Sequence, residues 1–294
     1  MCRLKSGIIL KDRIFVPEYN SHTEMLEELG IEDDYLNASK TFVRFELSPE
    51  DNDAFSDIDN WKLKVDQDIV PDWYDEAMYK PQIVEKVKEW AKEHIHIGID
   101  NLKINSGINH YIKDCKNVCI GGDAIVRCIC GKTAVEYIGD TAIVYSICDS
   151  VVVKYIEDRA VIGLVCDNAM IETILSTVVV QDIRDNVIIK RIGDHVIVDS
   201  IYGRATVESI YGDVTIESIR DDVIVKRICD RAIVKRVSGD ATIESIRDDV
   251  IVTGSIFGWK NKNTLTISEN ATFKDYETKT ICQSKDWKFM SVNH

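Results

Sequence analysis

IRDNVIIKRIGDHVIVDSIYGRATVESIYGDVTIESIRDDVIVKR, residues 183–227, divides into five blocks of nine, and the same block tiles the chain fifteen times from Ile120 to Gly254 without insertion or deletion. Column one of the block is always Ile or Val, column five Ala, Val or Thr, and column seven Val or Ile. Column three is Asp nine times, Gly five times and Ser once. Columns five to seven form a short β-branched run, which suits a strand with five and seven on one face. Asp and Gly share tolerance of left-handed backbone, so column three is the corner. One block cannot bury its apolar face alone, whereas stacked coils bury it continuously. The expected fold is therefore a mainly β chain built on a parallel β-solenoid. The columns do not set its hand.

The number of blocks per coil follows from what stacks at each spacing. Cys130, Cys148 and Cys166 occupy column two at eighteen-residue steps, and Tyr137 and Tyr155 share that step in column nine. Lys190, Glu208, Lys226 and Glu244 alternate in sign along column eight, and opposite charges directly stacked stabilise a ladder. Two blocks per coil, ~18 residues, are expected, giving about seven coils and a rod roughly 35 Å long at about 4.8 Å per coil.

The flanks are expected to cover the solenoid's raw strand edges, with residues 1–94 as a small α+β domain and cap, 95–119 as an irregular first coil, and 255–294 as an irregular C-terminal cap. Gly7–Leu10 and Arg13–Val16 read as a hairpin. Ser21 and Glu24 form a capping box before a short helix that stops at Gly30. Thr41–Leu47 and Trp61–Val65 read as strands. A second helix is expected from Pro81 to about Glu93; its apolar face, Ile83, Val84, Val87, Trp90 and Ala91, is expected to pack on the first coil. That coil is expected to turn Ile97, Ile99, Leu102, Ile104 and Val118 inward.

The stretches MCRLKSGIILKDRIFVP, SHTEMLEELGIEDDYLNASKTFVRFEL and VDQDIVPDWY, followed by repeats such as IYGDVTIES, resemble uncharacterised phage and gut-bacterial proteins. Those proteins join a similar N-terminal region to tandem nonapeptide repeats of the type A-T-V-x-x-I-x-D/G-x. The resemblance covers most of the chain and implies a solenoid in a phage or bacterial setting, without an activity. Column six departs from the type, since Ile or Val often replaces Thr.

The formal charge is −14, with 22 acids against 12 bases over residues 1–95 and 22 against 15 over residues 120–254. Direct nucleic-acid binding is not expected, because contact with phosphate requires clustered Lys and Arg. An acidic rod that imitates nucleic acid and blocks a DNA- or RNA-handling enzyme is the alternative reading. No run approaches the ~18 apolar residues of a membrane span. Nine cysteines and no export signal at Met1–Leu10 lead to the expectation of a cytoplasmic, thiol-reduced protein.

Candidate chemistry is sparse. Calcium binding of the β-roll kind needs a carboxylate that column three often replaces with Gly. Asp51, Asn52, Asp53, Asp57 and Asp59 hint at an EF-hand but lack its glycine and its closing glutamate. His94, His96 and His110 suit a metal less well than an exposed surface. The cysteine ladder Cys130–Cys148–Cys166 reads as small residues stacked at a corner, although it offers sulfur to a soft metal or to oxidation. His195, Asp221-Asp222 and Asp248-Asp249 lie on the regular turn, and no catalytic signature is present. No cofactor, metal or catalytic residue is expected; an enzyme with its site at the junction of cap and solenoid is a second alternative.

Column six is the most informative departure. If five and seven face inward, six faces outward, yet it is largely apolar. Two apolar stripes, one per sheet, are expected along the rod, and Ile125, Ile143, Val161, Val179, Ile188, Ile197, Ile224, Ile233 and Ile251 are the expected interaction residues. The expected role is a non-enzymatic interaction or scaffold module that binds a protein partner or itself through the faces of the rod.

Overall fold

The structure, a computed structural model, describes residues 4–49, 57–254 and three short strands beyond them, Thr266–Ile267, Thr272–Asp275 and Ile281–Gln283. The chain divides after Ile95 into two compact units.

In the first unit β1 (Lys5–Leu10) pairs antiparallel with β2 (Ile14–Phe15), and the sheet runs on through β3 (Phe42–Ser48) to β4 (Lys62–Val65). All six residues of β1 are buried, because both faces of the sheet are covered. Ile8, Leu10 and Phe42 pack with Met25 and Leu26 of α1 (His22–Glu28). Ile9, Val43, Phe45 and Leu47 pack with Ile83, Val84, Val87, Trp90 and Ala91 of a 19-residue helix at Glu76–His94. That helix's apolar stripe, expected to cover the first coil, is thus filled by the sheet of its own unit. Its start also lies upstream of Pro81: Asp75 accepts from the Ala77 amide at 2.9 Å, and this cap outweighs the proline as a starting signal. The Ser21 hydroxyl caps α1, accepting from the Glu24 amide at 3.3 Å. A further short helix, Tyr35–Lys40, buries no residue, so no apolar periodicity announced it. It is held by Asp34, which accepts from the Asn37 amide at 2.7 Å.

The second unit is a parallel β-solenoid of about nine turns with ~18 residues per coil. Residue i pairs with residue i+18: Ile143 opposes Val161, Val161 opposes Val179, and Val152 opposes Met170. Alternate blocks therefore feed two sheets, a larger one of fourteen described strands and a smaller one of nine. Columns one, five and seven fill the space between them at 2% exposure or less throughout, each aliphatic side chain contributing about 1.5–3 kcal/mol of transfer free energy. All fifteen column-three residues have positive φ, from 53° at Asp140 to 79° at Gly212. The corner is left-handed in every block, which explains the restriction to Asp, Gly and Ser.

Solenoid winding begins before Ile120, where it is less regular. Ile104, Ile112, Cys115 and Val118 are core, and Leu102 packs against them. Ile97 and Ile99, expected inside, are each 40% exposed. Gly98 and Asn101 take positive φ there and break the alternation that would have turned both side chains inward. At the other end Thr272–Asp275 extends the larger sheet in parallel, and Ile281–Gln283 then pairs antiparallel with it, ending the parallel progression. The rest of the expected C-terminal cap lies outside the described residues, as do Asp51, Asn52 and Asp53 of the acidic loop. Of that loop's remainder, Asp59 accepts from Lys88 Nζ at 2.6 Å. Among the described residues no helix is long and apolar enough to cross a membrane.

Candidate interaction face

The two sheets carry different exteriors. On the larger sheet column six stacks in direct register as Ile125, Ile143, Val161, Val179, Ile197, Thr215, Ile233 and Ile251, with Ile108 beneath Ile125. Ile197 is 42% exposed, and the rest of this column is half-buried or slightly more open. The other two expected interaction residues, Ile188 and Ile224, lie on the smaller sheet. They alternate there with Thr206 and Thr242, above Ala134, Val152 and Met170. The nine residues thus form two stripes on opposite faces.

The neighbouring outward column separates the faces further. On the smaller sheet column eight runs Glu136, Lys154, Glu172, Lys190, Glu208, Lys226 and Glu244. It makes cross-coil ion pairs at 3.1 Å (Lys154–Glu136), 3.0 Å (Lys190–Glu172) and 3.3 Å (Lys226–Glu208). Such exposed pairs contribute about 0–1 kcal/mol each, but they keep that face hydrated. On the larger sheet the same column reads Tyr145, Gly163 and Gln181 beside Ile143, Val161 and Val179. Three successive coils therefore present no charge in either column. Tyr145 is 55% exposed, and the bare backbone at Gly163 lies against it: a Cβ there would meet the Tyr145 carbonyl oxygen at 2.7 Å. Leu164 borders the patch. A nine-residue reading hides Tyr145, Gly163 and Leu164, because it averages the two faces; reading alternate blocks separately reveals them.

The corner carboxylates are structural. Each Asp of column three reaches back one coil to accept from the column-three amide, as in Gly122 N–H to Asp140 at 2.7 Å, Ser176 N–H to Asp194 at 3.0 Å and Gly212 N–H to Asp230 at 2.9 Å. Asp221 and Asp248, from the paired-acid corners, accept from Gly203 and Asp230 in the same way at 3.2 Å. Tyr137 donates to Asp158 at 2.5 Å, which holds that carboxyl below the ordinary range and pushes the phenol up to about 12. Gly139 leaves room for the phenol, since a Cβ there would lie 1.9 Å from the Tyr137 hydroxyl oxygen.

Histidines and cysteines depart from their expected surroundings. His94 and His110 are buried rather than on the surface; His94 packs beside Trp90 with ring centroids 5.3 Å apart, and His96 meets Asn109 Oδ1 at 2.8 Å. His195 is exposed, as its turn position implied. In the cysteine ladder Cys130 and Cys148 are joined by Cys128, whose Sγ lies 3.7 Å from that of Cys148. Hydrogen bonds from Cys130 and Cys148 hold the Cys128 thiol far below its ordinary range, and the bond with Cys128 pushes the Cys148 thiol up. Compared with protein-family models, curated proteins and solved structures, the chain matches none of them.

Proposed function

We propose that this chain is a non-enzymatic interaction module that docks a protein through the larger sheet of its solenoid. One observation carries the reading: the charge-free patch of Ile143, Tyr145, Val161, Gly163, Leu164 and Val179 stands on a rigid sheet whose opposite face is laced with charge. Apolar surface that is contiguous, flat and bordered by polar residues favours a protein contact, and the exposed Tyr145 supplies an aromatic anchor of the kind enriched at such contacts. A second copy of the chain is the first partner to test, because two flat patches without charge are self-complementary under a two-fold axis. The alternative of nucleic-acid imitation gains less support. The smaller sheet alternates acid and base, and the corner carboxylates are engaged by backbone amides.

Light scattering on chromatographed protein across a concentration series tests the reading. Mass that rises with concentration is expected for the native chain and for Ile188→Lys, and is expected to be lost in Val161→Lys. Equal association in all three would reject the larger sheet as the docking face, and a monomer throughout would reject self-association.

A further inference from the structure

Where the strands Ile143–Ile147 and Val161–Val165 of the larger sheet run into the corner, column two holds a cysteine and column three an aspartate on successive coils. The ligand atoms of Cys148, Asp149 and Asp167 all lie within 4.8 Å of one another, and so do those of Cys166, Asp167 and Asp185. Asp167 belongs to both groups, so two thiols and three carboxylates from three coils make one continuous cluster. Cys166 is 6% exposed, and its one hydrogen bond is to Asp167 Oδ2 at 3.5 Å, so a buried thiol is aimed into the cluster. Cys148 Sγ has only weak contacts elsewhere, with the Ile129 carbonyl at 3.6 Å and Cys128 Sγ at 3.7 Å. The three carboxylates are stacked coil on coil, an arrangement that like charges disfavour. Among the described residues no base pairs with Asp149 or Asp167, and Arg184 Nε stands 3.6 Å from Asp185 Oδ2 without a hydrogen bond.

We propose that Cys148, Asp149, Cys166, Asp167 and Asp185 bind a pair of divalent ions of the zinc class, one in each group, with the Asp167 carboxylate bridging them. Zinc takes thiolate sulfur at about 2.3 Å and carboxylate oxygen at about 2.0–2.2 Å, which in tetrahedral geometry separates sulfur from oxygen by roughly 3.6 Å. The Cys166–Asp167 pair already stands at 3.5 Å. Each group supplies three donors, and its exposed carboxylates leave the fourth position open to water. The carboxylates are held in place from behind: Asp149, Asp167 and Asp185 accept through Oδ2 from the Gly131, Asp149 and Asp167 amides at 2.9, 3.1 and 3.3 Å. Such bonds orient a ligand while leaving Oδ1 free for the metal. The sulfur in each group selects a zinc-class ion over calcium or magnesium. A third group, Cys229, Asp230 and Asp248, lies on the other corner; it has no adjoining group to share a ligand with and is expected to hold an ion more weakly. On binding, each thiol releases its proton and its sulfur donates an electron pair to the metal; nothing is oxidised or reduced.

The test uses the full chain, reduced and stripped of metal under anaerobic conditions. One arm titrates Zn(II) against a chromophoric chelator. The other titrates Co(II), whose thiolate-to-metal charge transfer in the near ultraviolet reports sulfur ligation in the native chain, free of any substitution. Two tightly bound zinc ions per chain and a charge-transfer band are the expected results. Asp167→Asn keeps an oxygen for the Asp149 amide and tolerates the left-handed corner, so the fold is expected to survive it while the bridging charge is lost. It is expected to weaken both ions by at least about tenfold, the scale at which even outer partners of metal ligands act. Cys166→Ser is expected to weaken one ion and to diminish the cobalt band. Asp221→Asn, on the same corner but beside Arg220 instead of a cysteine, and Cys229→Ser are expected to leave the pair unchanged. A native chain that binds no zinc, one that binds a single ion tightly, a cobalt complex without the charge-transfer band, or affinity unmoved by Asp167→Asn in folded protein would each overturn the proposal.

Discussion

Asp194 shows what a single residue contributes to this solenoid. Its φ of 57° places it in the left-handed region, and its carboxylate accepts from the Ser176 amide of the preceding coil at 3.0 Å. Two requirements meet in one side chain, a backbone state that most residues resist and an acceptor that joins neighbouring corners. Glycine meets the first and forfeits the second, which is why column three admits both types. Asp194→Gly is expected to cost about 1 kcal/mol for the lost hydrogen bond, and Asp194→Ala about 1 kcal/mol more, because alanine also strains the left-handed corner. Urea unfolding of the two variants beside the native chain measures both steps; equal stability of the two would remove backbone strain from the explanation.

At the scale of the element, the five-residue strand Met170–Ile174 buries its second, fourth and fifth residues and shows its first outward. Its stability comes from neighbours rather than from itself, since it is paired on both sides, with Val152–Ile156 and Ile188–Ile192. Ile171 is fully buried between the two sheets, in a column where every coil has Val or Ile. Ile171→Ala leaves a cavity that stacked backbones cannot collapse around, and is expected to destabilise by about 3 kcal/mol. Ile171→Val, which keeps the branched shape, is expected to cost about 1 kcal/mol. A chemical denaturation series checks the pair, and near-equality of the two variants would mean that the coils relax into the space.

For the solenoid as a whole, stability is a sum of coils and of the contacts between adjacent coils. From Ala134 to Ile219 each sheet carries uninterrupted five-residue strands, whereas Ile224–Val225 and Thr242–Ile243 on the smaller sheet shorten to two residues. The ladder continues between those later coils through the isolated bridges Ile210–Ile228 and Ile228–Ile246 rather than through unbroken strands. Hydrogen exchange followed by mass spectrometry is therefore expected to show the slowest amides between 134 and 219 and faster exchange on the smaller sheet beyond 224. Uniform protection to residue 254 would indicate that side-chain stacking alone carries the later coils.

The repeat made the solenoid, its inward columns, its left-handed corners and its two-block coil legible in sequence, because a nine-residue period with invariant apolar columns permits one way of burying them. The Lys–Glu alternation and the cysteine spacing were legible for the same reason, being stacked at the period of the coil. Tertiary structure alone decided the rest. One column-six stripe per sheet was already implied by the two-block coil, but that charge lies beside one stripe and Tyr145 and Gly163 beside the other depends on which blocks become neighbours across a face. The meeting of Cys128 with Cys148 is diagonal, between different columns of adjacent coils, so no single column records it. In the first unit the helix at Glu76–His94 shows an apolar stripe in sequence, but only the fold supplied its partner, the sheet of β1 and β3. Periodicity specifies contacts that repeat; a contact made once depends on where folding brings two surfaces together.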